Sequence, residues 1–361
     1  MERRRGAVED MELNRDFWRG RRVFVTGHTG FKGSWLLLLL ETLGAEVSGY
    51  ALAPPTDPAM FDQIGGAGRC DHEIGDVRDV AALDAAMAEA NPEIVVHLAA
   101  QPLVRASYAA PVETYAVNVM GTVNLLDACR RAPALRSVVV VTTDKCYLND
   151  GRSDGYAEDD RLGGHDPYSN SKACAELATA AYRDSYLAAA GIGVATARAG
   201  NVIGGGDYAE DRLVPDAVRA FAAGRTLAIR NPHAIRPWQH VLEPLVGYLL
   251  LAERLAEDRQ HAAQGWNFGP RLEDAVPVAI LADRLVTLWG AGACWQPSGG
   301  DHPHEAATLR LKADAAEREL GWRPRLTADE ALDWTVRWYR AVAKGADMAD
   351  VSRRQISEYL G

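Results

Sequence analysis

Short apolar runs alternate with longer segments of helical periodicity along the first 200 residues. The predicted strands are 23–26, 46–51, 94–98, 137–142 and 194–198. The predicted helices are 31–43, 80–90, 112–131 and 167–187. Short strands that alternate with helices are typical of parallel βαβ units. We therefore predict an α/β protein built on a doubly wound parallel sheet.

The pattern changes after Asn201, and this change divides the chain. Residues 204–212 are glycine-rich and polar, as expected for a loop, and the later elements are mixed, with frequent proline and tryptophan. We predict a polar N-terminal arm at 1–16, either mobile or docking, a sheet domain at 17–200 and a smaller C-terminal lobe over most of 201–361. We expect the chain to return to the sheet domain at about 240–255.

Five consecutive leucines, Leu36–Leu40, lie within the first predicted helix. A bilayer requires about 20 apolar residues, so we interpret this run as part of a helix that is buried on several sides. No apolar stretch follows Met1 before Val23, and we therefore expect no signal peptide, no membrane partner and a cytoplasmic protein.

Composition narrows the classes of function. The chain has 361 residues, of which 48% are hydrophobic, enough for one large core and a second lobe. Its net charge of −10 argues against nucleic acid as a partner but permits a small anionic substrate at a local basic pocket. The five cysteines form no CxxC pair, which is typical of a reducing compartment.

Gly27, Gly30 and Gly33 form a G-x-x-G-x-x-G motif directly after a predicted strand and at a helix start. Glycines at such a turn let the backbone approach a pyrophosphate, and the helix N-terminus supplies N–H groups. Glycines also make tight turns for purely structural reasons. The strand-turn-helix context favours a dinucleotide site.

The second predicted strand ends at 48–51 without the acidic residue that usually binds the adenosine ribose, and Asp57 lies too far along to assign. No arginine stands there for a 2′-phosphate, so we expect NAD rather than NADP. Asp76 follows what looks like one further strand, the third in chain order and ahead of the fourth at 94–98, and it would either bind the adenine amino group or cap the next helix.

Small residues after the fourth strand, Ala99 and Ala100, would let a cofactor lie close to the strand ends. Asn118 would be either a buried structural hydrogen-bonder or part of a proton relay. The predicted cofactor-binding residues are Gly27, Thr29, Gly30, Phe31, Lys32, Asp76, Val77, Leu98, Ala99, Ala100, Asn118, Tyr168 and Lys172.

Tyr168 and Lys172 are four residues apart and share one helix face. A nearby ammonium favours a phenolate, and a tyrosine base near neutrality needs its pKa lowered by roughly two to three units. Asp144-Lys145 stands at the end of a predicted strand, and in an ordinary loop such a pair would be a solvated ion pair. Ligands bind at this edge of such sheets, so the pair adds an acid and a base that plain alcohol oxidation does not need.

Several polar residues could hold an anionic substrate, since arginine binds diphosphate bidentately. Each arginine alone is more often a surface residue, and the prediction concerns the set. We expect no metal at His302-Pro303-His304-Glu305, and we expect packing roles for Cys146 and the C-terminal tryptophans. The predicted substrate-binding residues are Gln101, Arg105, Asn201, Arg212, Arg230, Arg236 and His240.

Together these motifs resemble the extended short-chain dehydrogenase/reductase family that acts on nucleotide sugars, and more narrowly the CDP-glucose 4,6-dehydratases. The resemblance covers about residues 17–340 and is carried by 27–35, 97–105, 143–147 and 231–240. Related dehydratases for dTDP- or GDP-sugars carry glutamate where Lys145 stands, and 4-epimerases lack the acid/base pair. The resemblance implies a Rossmann-type fold with a smaller C-terminal substrate lobe, bound NAD and CDP-glucose as substrate.

The resemblance also implies roles for the predicted catalytic residues Thr143, Asp144, Lys145, Tyr168 and Lys172. Tyr168 would take the proton of the sugar's 4-hydroxyl, which Thr143 holds, while Lys172 lowers the tyrosine pKa. Lys145 would remove the proton on carbon 5, and protonated Asp144 would donate to the departing 6-hydroxyl.

Other functions remain open from the sequence alone. A 4-epimerase or a dehydratase for another base would share the fold, and a non-catalytic NAD-binding regulator belongs to a different class. A homodimer or homotetramer is expected by resemblance, through the helices at 112–131 and 167–187, although their apolar positions would equally serve the core.

Overall fold

The computed structural model describes residues 12–290, 292–299 and 306–361. The strands are β1 (Arg22–Thr26), β2 (Glu46–Ala51), β3 (Asp71–Ile74), β4 (Ile94–His97), β5 (Ser137–Val141), β6 (Gly193–Ala199), β7 (Asn201–Ile203), β8 (Leu227–Ile229), β9 (Ile235–His240), β10 (Gly265–Phe268), β11 (Ala275–Pro277) and β12 (Trp295–Pro297). The helices are α1 (Arg15–Trp18), α2 (Phe31–Leu43), α3 (Met60–Gln63), α4 (Val80–Ala90), α5 (Val104–Ala109), α6 (Pro111–Tyr115), α7 (Gly121–Cys129), α8 (Pro167–Tyr182), α9 (Leu213–Ala222), α10 (Leu242–Glu257), α11 (Arg259–Ala262), α12 (Val278–Trp289), α13 (Ala328–Ala343) and α14 (Met348–Leu360).

Seven strands form one parallel sheet in the order β3-β2-β1-β4-β5-β6-β10. This arrangement confirms the predicted α/β class with its doubly wound sheet. The direction of winding reverses between β1 and β4. In such sheets the crevice that binds ligands opens outside the carboxyl ends of the strands at this point.

The last strand of the sheet, β10, comes from a region that the hydrophobic pattern assigns to the C-terminal lobe. Its buried residues Trp266 and Phe268 alternate with Gly265 and Asn267, so it has no continuous apolar run to mark it. An earlier helix, α10 (Leu242–Glu257), packs on β5 and β6 of the same sheet.

The helix after β1, α2, is buried on all sides. Leu36–Leu40 are at most 1% exposed, because β2 lies on one side and α10 and α14 lie on others. The helix begins after Gly30 and ends at Gly44, whose φ of 78° is left-handed. The leucine run therefore belongs to the core, as predicted.

The C-terminal lobe contains the small sheet β11-β9-β7 and the pair β12-β8. At the other end of the chain, Leu13 is buried and the backbone N–H of Asn14 donates to Glu253, 3.0 Å away. Residues 12–16 of the predicted arm therefore dock, and residues 1–11 lie outside the described part. Within the described ranges, no helix is long and apolar enough to cross a membrane.

Candidate active site

A cleft of about 1520 Å³ lies at the carboxyl ends of the central strands and extends into the C-terminal lobe. The loops after β1, β4, β5 and β6 form one wall, and residues of α9, β8 and β9 form the other. A single cavity of this size has room for a dinucleotide beside a second ligand, as oxidation chemistry requires.

The glycine motif forms the floor of the cleft below β1. Gly27 has a φ of 76°, and a Cβ there would lie 2.7 Å from the backbone nitrogen of Ala99. A Cβ on Gly33 would lie 2.2 Å from the carbonyl oxygen of Gly27. Only glycine permits this close packing, which leaves the N-terminus of α2 open to a pyrophosphate. The residues therefore fit a dinucleotide.

The predicted adenosine end is lined by residues that follow β2 and β3. Asp57 lines the cleft, although its distance along the chain from β2 did not suggest a binding role. Residues 51–60 include no lysine or arginine that could bind a 2′-phosphate. Asp76 lines the cleft too, and a hydrogen-bonded ion pair with Arg78, at 2.6 Å, lowers the pKa of the Asp76 carboxyl. Asp79, rather than Asp76, caps α4, so the capping alternative for Asp76 is wrong.

Tyr168 stands in the first turn of α8, and its backbone N–H donates to the hydroxyl of Ser107, 3.1 Å away. Burial raises the pKa of Tyr168 to about 12; the nearby side chain of Thr143 and the charge of Arg212 lower it, and Asp144 raises it. The free chain thus holds this side chain as a neutral phenol at pH 7.

Lys172 anchors α8 to the end of β5, because its ammonium donates to the carbonyl oxygen of Val141 at 3.0 Å. Burial lowers the pKa of Lys172 to about 8, and the charge of Glu176 opposes this shift. Lys172 is not among the groups that act most strongly on the pKa of Tyr168, and its expected lowering of that pKa stays a prediction. Burial outweighs every charge there, and the charges that act most strongly are those of Asp144 and Arg212.

Asp144 and Lys145 lie in a single 3-10 turn after β5. Asp144 is 1% exposed; its Oδ1 accepts a hydrogen bond from Thr143 Oγ1 at 3.0 Å, and its Oδ2 is buried with no partner among the described residues. A buried acceptor without a partner is costly. Oδ2 therefore has capacity for a further hydrogen bond, although Asp144 lies behind the cleft lining, whereas Lys145 lines the cleft itself.

Lys32 of the glycine loop lies close enough to this group for their charges to interact, which its position in the motif did not indicate. Burial lowers the pKa of Lys32 to about 7, and the charges of Arg212 and Lys172 add to the effect, whereas Asp144 and Asp207 oppose it. The centre of the cleft thus combines several cationic side chains with the buried carboxylates of Asp144 and Asp207.

Five of the predicted substrate-binding residues line the cleft: Arg105, Asn201, Arg212, Arg230 and Arg236. Two aspartates, which sequence reasoning missed, hold three of the arginines. Asp211 accepts hydrogen bonds from Arg105 at 2.8 Å and from Arg230 at 2.7 Å, and Asp207 pairs with Arg212 at 3.0 Å. Both aspartates lie in the segment 204–212, whose glycines indicated only a loop.

Besides Asp144, three predicted site residues do not line the cleft. Gln101 turns its amide to Thr114 and to the backbone of Leu103, and Asn118 is fully buried with hydrogen bonds to Gln101 and Ser171. Asn118 is thus a structural hydrogen-bonder, the first of its two predicted alternatives.

His240 is the third of these residues. It is fully buried between the rings of Trp35 and Trp334. Burial lowers its pKa to about 3, so it carries no charge that could bind a phosphate. Proximity to the arginine motif along the chain does not reveal the direction in which a side chain points.

The remaining residues that the sequence singled out are Cys146, expected to have a packing role, and a possible metal cluster. Cys146 packs beside Tyr147 and Tyr156 in a small apolar cluster. Among the described residues, no group of three or more histidine, cysteine, aspartate or glutamate side chains could hold a metal. His302-Pro303-His304-Glu305 lies outside the described residues.

Comparisons with known proteins agree with this geometry. Residues 23–264 match the model of the NAD dependent epimerase/dehydratase family. The chain is 51% identical over 353 residues to the CDP-glucose 4,6-dehydratase of Salmonella typhimurium (strain LT2), which covers 96% of this chain and 98% of that protein. It is 29% identical to the dTDP-glucose 4,6-dehydratase of an Actinoplanes species, over 89% of this chain and 98% of that protein.

A solved structure of a double mutant of DesIV, a dTDP-glucose 4,6-dehydratase from Streptomyces venezuelae with NAD and DAU bound, superposes with a TM-score of 0.73. The two sequences are 25% identical, and the match covers 91% of this chain and 99% of that one. The likeness therefore extends over both the sheet domain and the C-terminal lobe.

Proposed function

The chain belongs to the NAD-dependent epimerase/dehydratase family, and on this premise we propose that it converts CDP-glucose to CDP-4-keto-6-deoxyglucose by 4,6-dehydration. The observation that carries the proposal is the meeting of two sets of side chains at one cleft, which Thr143, Lys145, Tyr168 and Lys172 line while Asp144 is buried behind the lining. Thr143, Tyr168 and Lys172 suit oxidation of an alcohol, whereas Asp144 and Lys145 supply the acid and base of an elimination.

The cofactor would lie along the glycine loop and the ends of β2, β3 and β4, held by the N-terminus of α2 and by residues such as Asp57 and Ala99. The chemistry that bound NAD+ would supply there is reversible hydride acceptance, from carbon 4 and back to carbon 6, together with a positive ring that would favour the Tyr168 phenolate. Because the hydride is returned, no second oxidant or reductant is needed.

The arrangement of side chains in the free chain supports a proton path from oxidation to elimination. The Tyr168 phenolate removes the proton of the 4-hydroxyl, and the side chain of Thr143, which lies near the phenol, donates to Asp144. A proton moved along this path protonates Asp144, whose unpaired Oδ2 then donates it to the departing 6-hydroxyl. The proton of the 4-hydroxyl thus leaves in the water.

Lys145 removes the proton of carbon 5 and later returns it. The 4-keto group makes this proton acidic, and the lysine lines the cleft next to Thr143. The carbon–oxygen bond at carbon 6 then breaks, and a double bond forms between carbons 5 and 6. Hydride addition at carbon 6 and reprotonation at carbon 5 by Lys145 complete the product.

Substrate labelled with deuterium at carbon 4 tests this function. A 4,6-dehydratase transfers the label to carbon 6 of a 4-keto-6-deoxy product, which mass spectrometry and NMR detect. A 4-epimerase would instead give an epimer with the 6-hydroxyl intact. Tyr168→Phe should abolish transfer while NAD binding stays nearly unchanged; if the variant still transfers the label, Tyr168 is not the base.

We propose CDP-glucose as the best substrate among the nucleotide sugars, because the relative that is 51% identical is a CDP-glucose 4,6-dehydratase. CDP-glucose, UDP-glucose, dTDP-glucose and GDP-glucose, offered separately at equal concentration, give the ranking directly. Strong turnover of dTDP-glucose with only a trace from CDP-glucose would contradict the proposal.

We also propose that the protein works in the reducing environment of the cytoplasm, because its five cysteines are all unpaired. We further propose that two copies pair through the long helices. Val112 and Met120 beside α6 and α7, and Leu177 on α8, are large apolar side chains that the single chain leaves exposed. Leu177→Lys should shift the mass measured by light scattering toward a monomer. Leu52→Lys, at an exposed leucine elsewhere, is the matched control.

A further inference from the structure

The outer end of the cleft is formed by α9 and β8. Asp216 and Arg219 on α9 line it together with Leu227, Ala228 and Ile229 on β8. Four of these five residues also line a separate surface pocket of about 250 Å³, which places them where the cleft reaches the surface.

Asp216 is held in a fixed orientation at this end. Its Oδ1 accepts a hydrogen bond from Arg219, and Arg219 is itself tied to the carbonyl oxygens of Tyr208 and Ala209, at 2.8 and 3.1 Å. The Oδ2 of Asp216 has no hydrogen-bond partner among the described residues. A positioned carboxylate oxygen that lines a cleft and still has capacity to accept is suited to a donor on a ligand.

The carboxylate stands near the arginines that suit a diphosphate. The charges of Asp211 and Arg230 both act on Asp216, although neither side chain bonds to it. Arg230 in turn meets Arg105 at the shared Asp211. The base of a nucleotide whose diphosphate lies at Arg105 and Arg230 would therefore fall within reach of Asp216.

We propose that Asp216 selects the base of the substrate by accepting a hydrogen bond from the 4-amino group of cytosine. The inference rests on the proposed function, because it takes a nucleoside diphosphate sugar as the ligand. Cytosine presents a donor at its carbon 4, whereas uracil and thymine present a carbonyl oxygen there, and aspartate is a common acceptor for that amino group.

Asp216 would discriminate against uracil and thymine, because these bases would leave hydrogen-bond acceptors without donors. A uracil or thymine at this position would set its O4 against the Asp216 carboxylate, and two acceptors would face each other after losing water. The side chains of Leu227 and Ile229, which are buried, supply an apolar surface for the face of the ring. Guanine also carries donors that match a carboxylate, so GDP-glucose is included in the test.

The test is Asp216→Asn, because an asparagine amide can turn its NH₂ toward O4. The ratio of kcat/KM for CDP-glucose to that for UDP-glucose should fall by about 10- to 100-fold, the range of one base-reading pair, and the change should lie mainly in KM. Glu210→Gln, at an exposed residue that lines the same cleft, should leave the ratio unchanged. An unchanged ratio in Asp216→Asn overturns the inference, as does a wild-type preference for GDP-glucose.

Binding of CMP and UMP to the NAD-loaded protein, measured by calorimetry, separates this inference from the proposed function. The wild type should prefer CMP, and Asp216→Asn should lose that preference, whether or not the protein turns over CDP-glucose. A protein that prefers CMP but forms no product would contradict the function alone. If Asp216→Asn does not fold by thermal unfolding, Asp216→Ser takes its place and should lose the same preference.

Discussion

The carboxylate of Glu176 and the guanidinium of Arg198 form an ion pair of 2.7 Å inside the protein, where their side chains are 3% and 6% exposed. The hydroxyl of Thr196 also donates to Glu176, at 2.6 Å. Glu176 lies one helical turn beyond Lys172 and two turns beyond Tyr168 on α8. The pair therefore fixes the helix face that carries the proposed base, and Arg198 is not a substrate ligand.

Glu176→Gln should destabilise the protein strongly, because it leaves the Arg198 charge buried without a counter-ion. Loss of one partner of a buried pair costs about 3–5 kcal/mol. Urea unfolding of the NAD-loaded protein measures the change. The matched control is Asp84→Asn, which breaks an exposed pair with Arg131 and should cost less than about 1 kcal/mol. Equal losses in the two variants would contradict the role of the buried pair.

Lys145→Ala should slow elimination more than oxidation, since the variant lacks the base for carbon 5 but keeps Thr143, Tyr168 and Lys172. On mixing with substrate, the absorbance of reduced nicotinamide should rise and persist, while product formation falls by about 100-fold or more. Normal turnover with no absorbance change would show that Lys145 has another role. Lys344→Ala, at an exposed lysine far along the chain, controls for the loss of a cation.

Asp211→Asn should lower the KM for CDP-glucose, because the Asp211 carboxylate competes with a diphosphate for Arg105 and Arg230. The φ of Asp211 is 61°, a conformation that asparagine also adopts readily, so the backbone should be unaffected. We expect a decrease of about three- to tenfold in steady-state kinetics, with NAD affinity unchanged. An increase in KM would mean that the carboxylate positions the arginines for the substrate instead.

Glu253→Gln should remove part of the pH dependence of stability. Burial raises the pKa of Glu253 to about 7 from 4.5, while hydrogen bonds from Trp18 and Asn14 lower it. Between these values the folded chain binds more protons than the unfolded chain, so its stability falls as pH rises from about 4.5 to 7. The variant should match the wild type near pH 4.5 and exceed it by about 3 kcal/mol near pH 8.

The free energy of unfolding at several pH values measures this difference. Glu257→Gln is the control, because Glu257 lies one turn further along α10 and is exposed. Glu243 keeps its own raised pKa in both variants and contributes equally to each. A constant offset between Glu253→Gln and the wild type at every pH would contradict the assignment.

The sequence predicts what depends on local patterns. The hydrophobic period and the segment lengths predict α2, α4 and the first strands. The glycines at 27, 30 and 33 predict the turn that must approach Ala99 closely. These features follow from backbone sterics and burial, which neighbouring residues largely determine. The strand β10 escapes prediction, because half of its four residues are glycine and asparagine.

The direction of a side chain in three dimensions is what the sequence does not contain. Gln101 and His240 stand beside cleft residues in the chain, but the pleat and the packing of Trp35 and Trp334 turn them away. The aspartates that pair with the arginines are equally invisible, because Asp211 and Arg105 lie on different lobes. Tertiary contacts, rather than local propensity, determine both the directions of these side chains and the aspartate–arginine pairs.

The covering of α2 by the last helix matters for how the protein is handled in the laboratory. Arg353 of α14 reaches Glu41 of α2 at 3.1 Å, and the hydroxyl of Tyr359 donates to the buried Glu243. Since α2 begins at the glycine loop, an affinity tag or fluorescent fusion close to Tyr359 would pull on the helix that supports the dinucleotide turn. Labels placed on the exposed surface of α4 would leave that support intact.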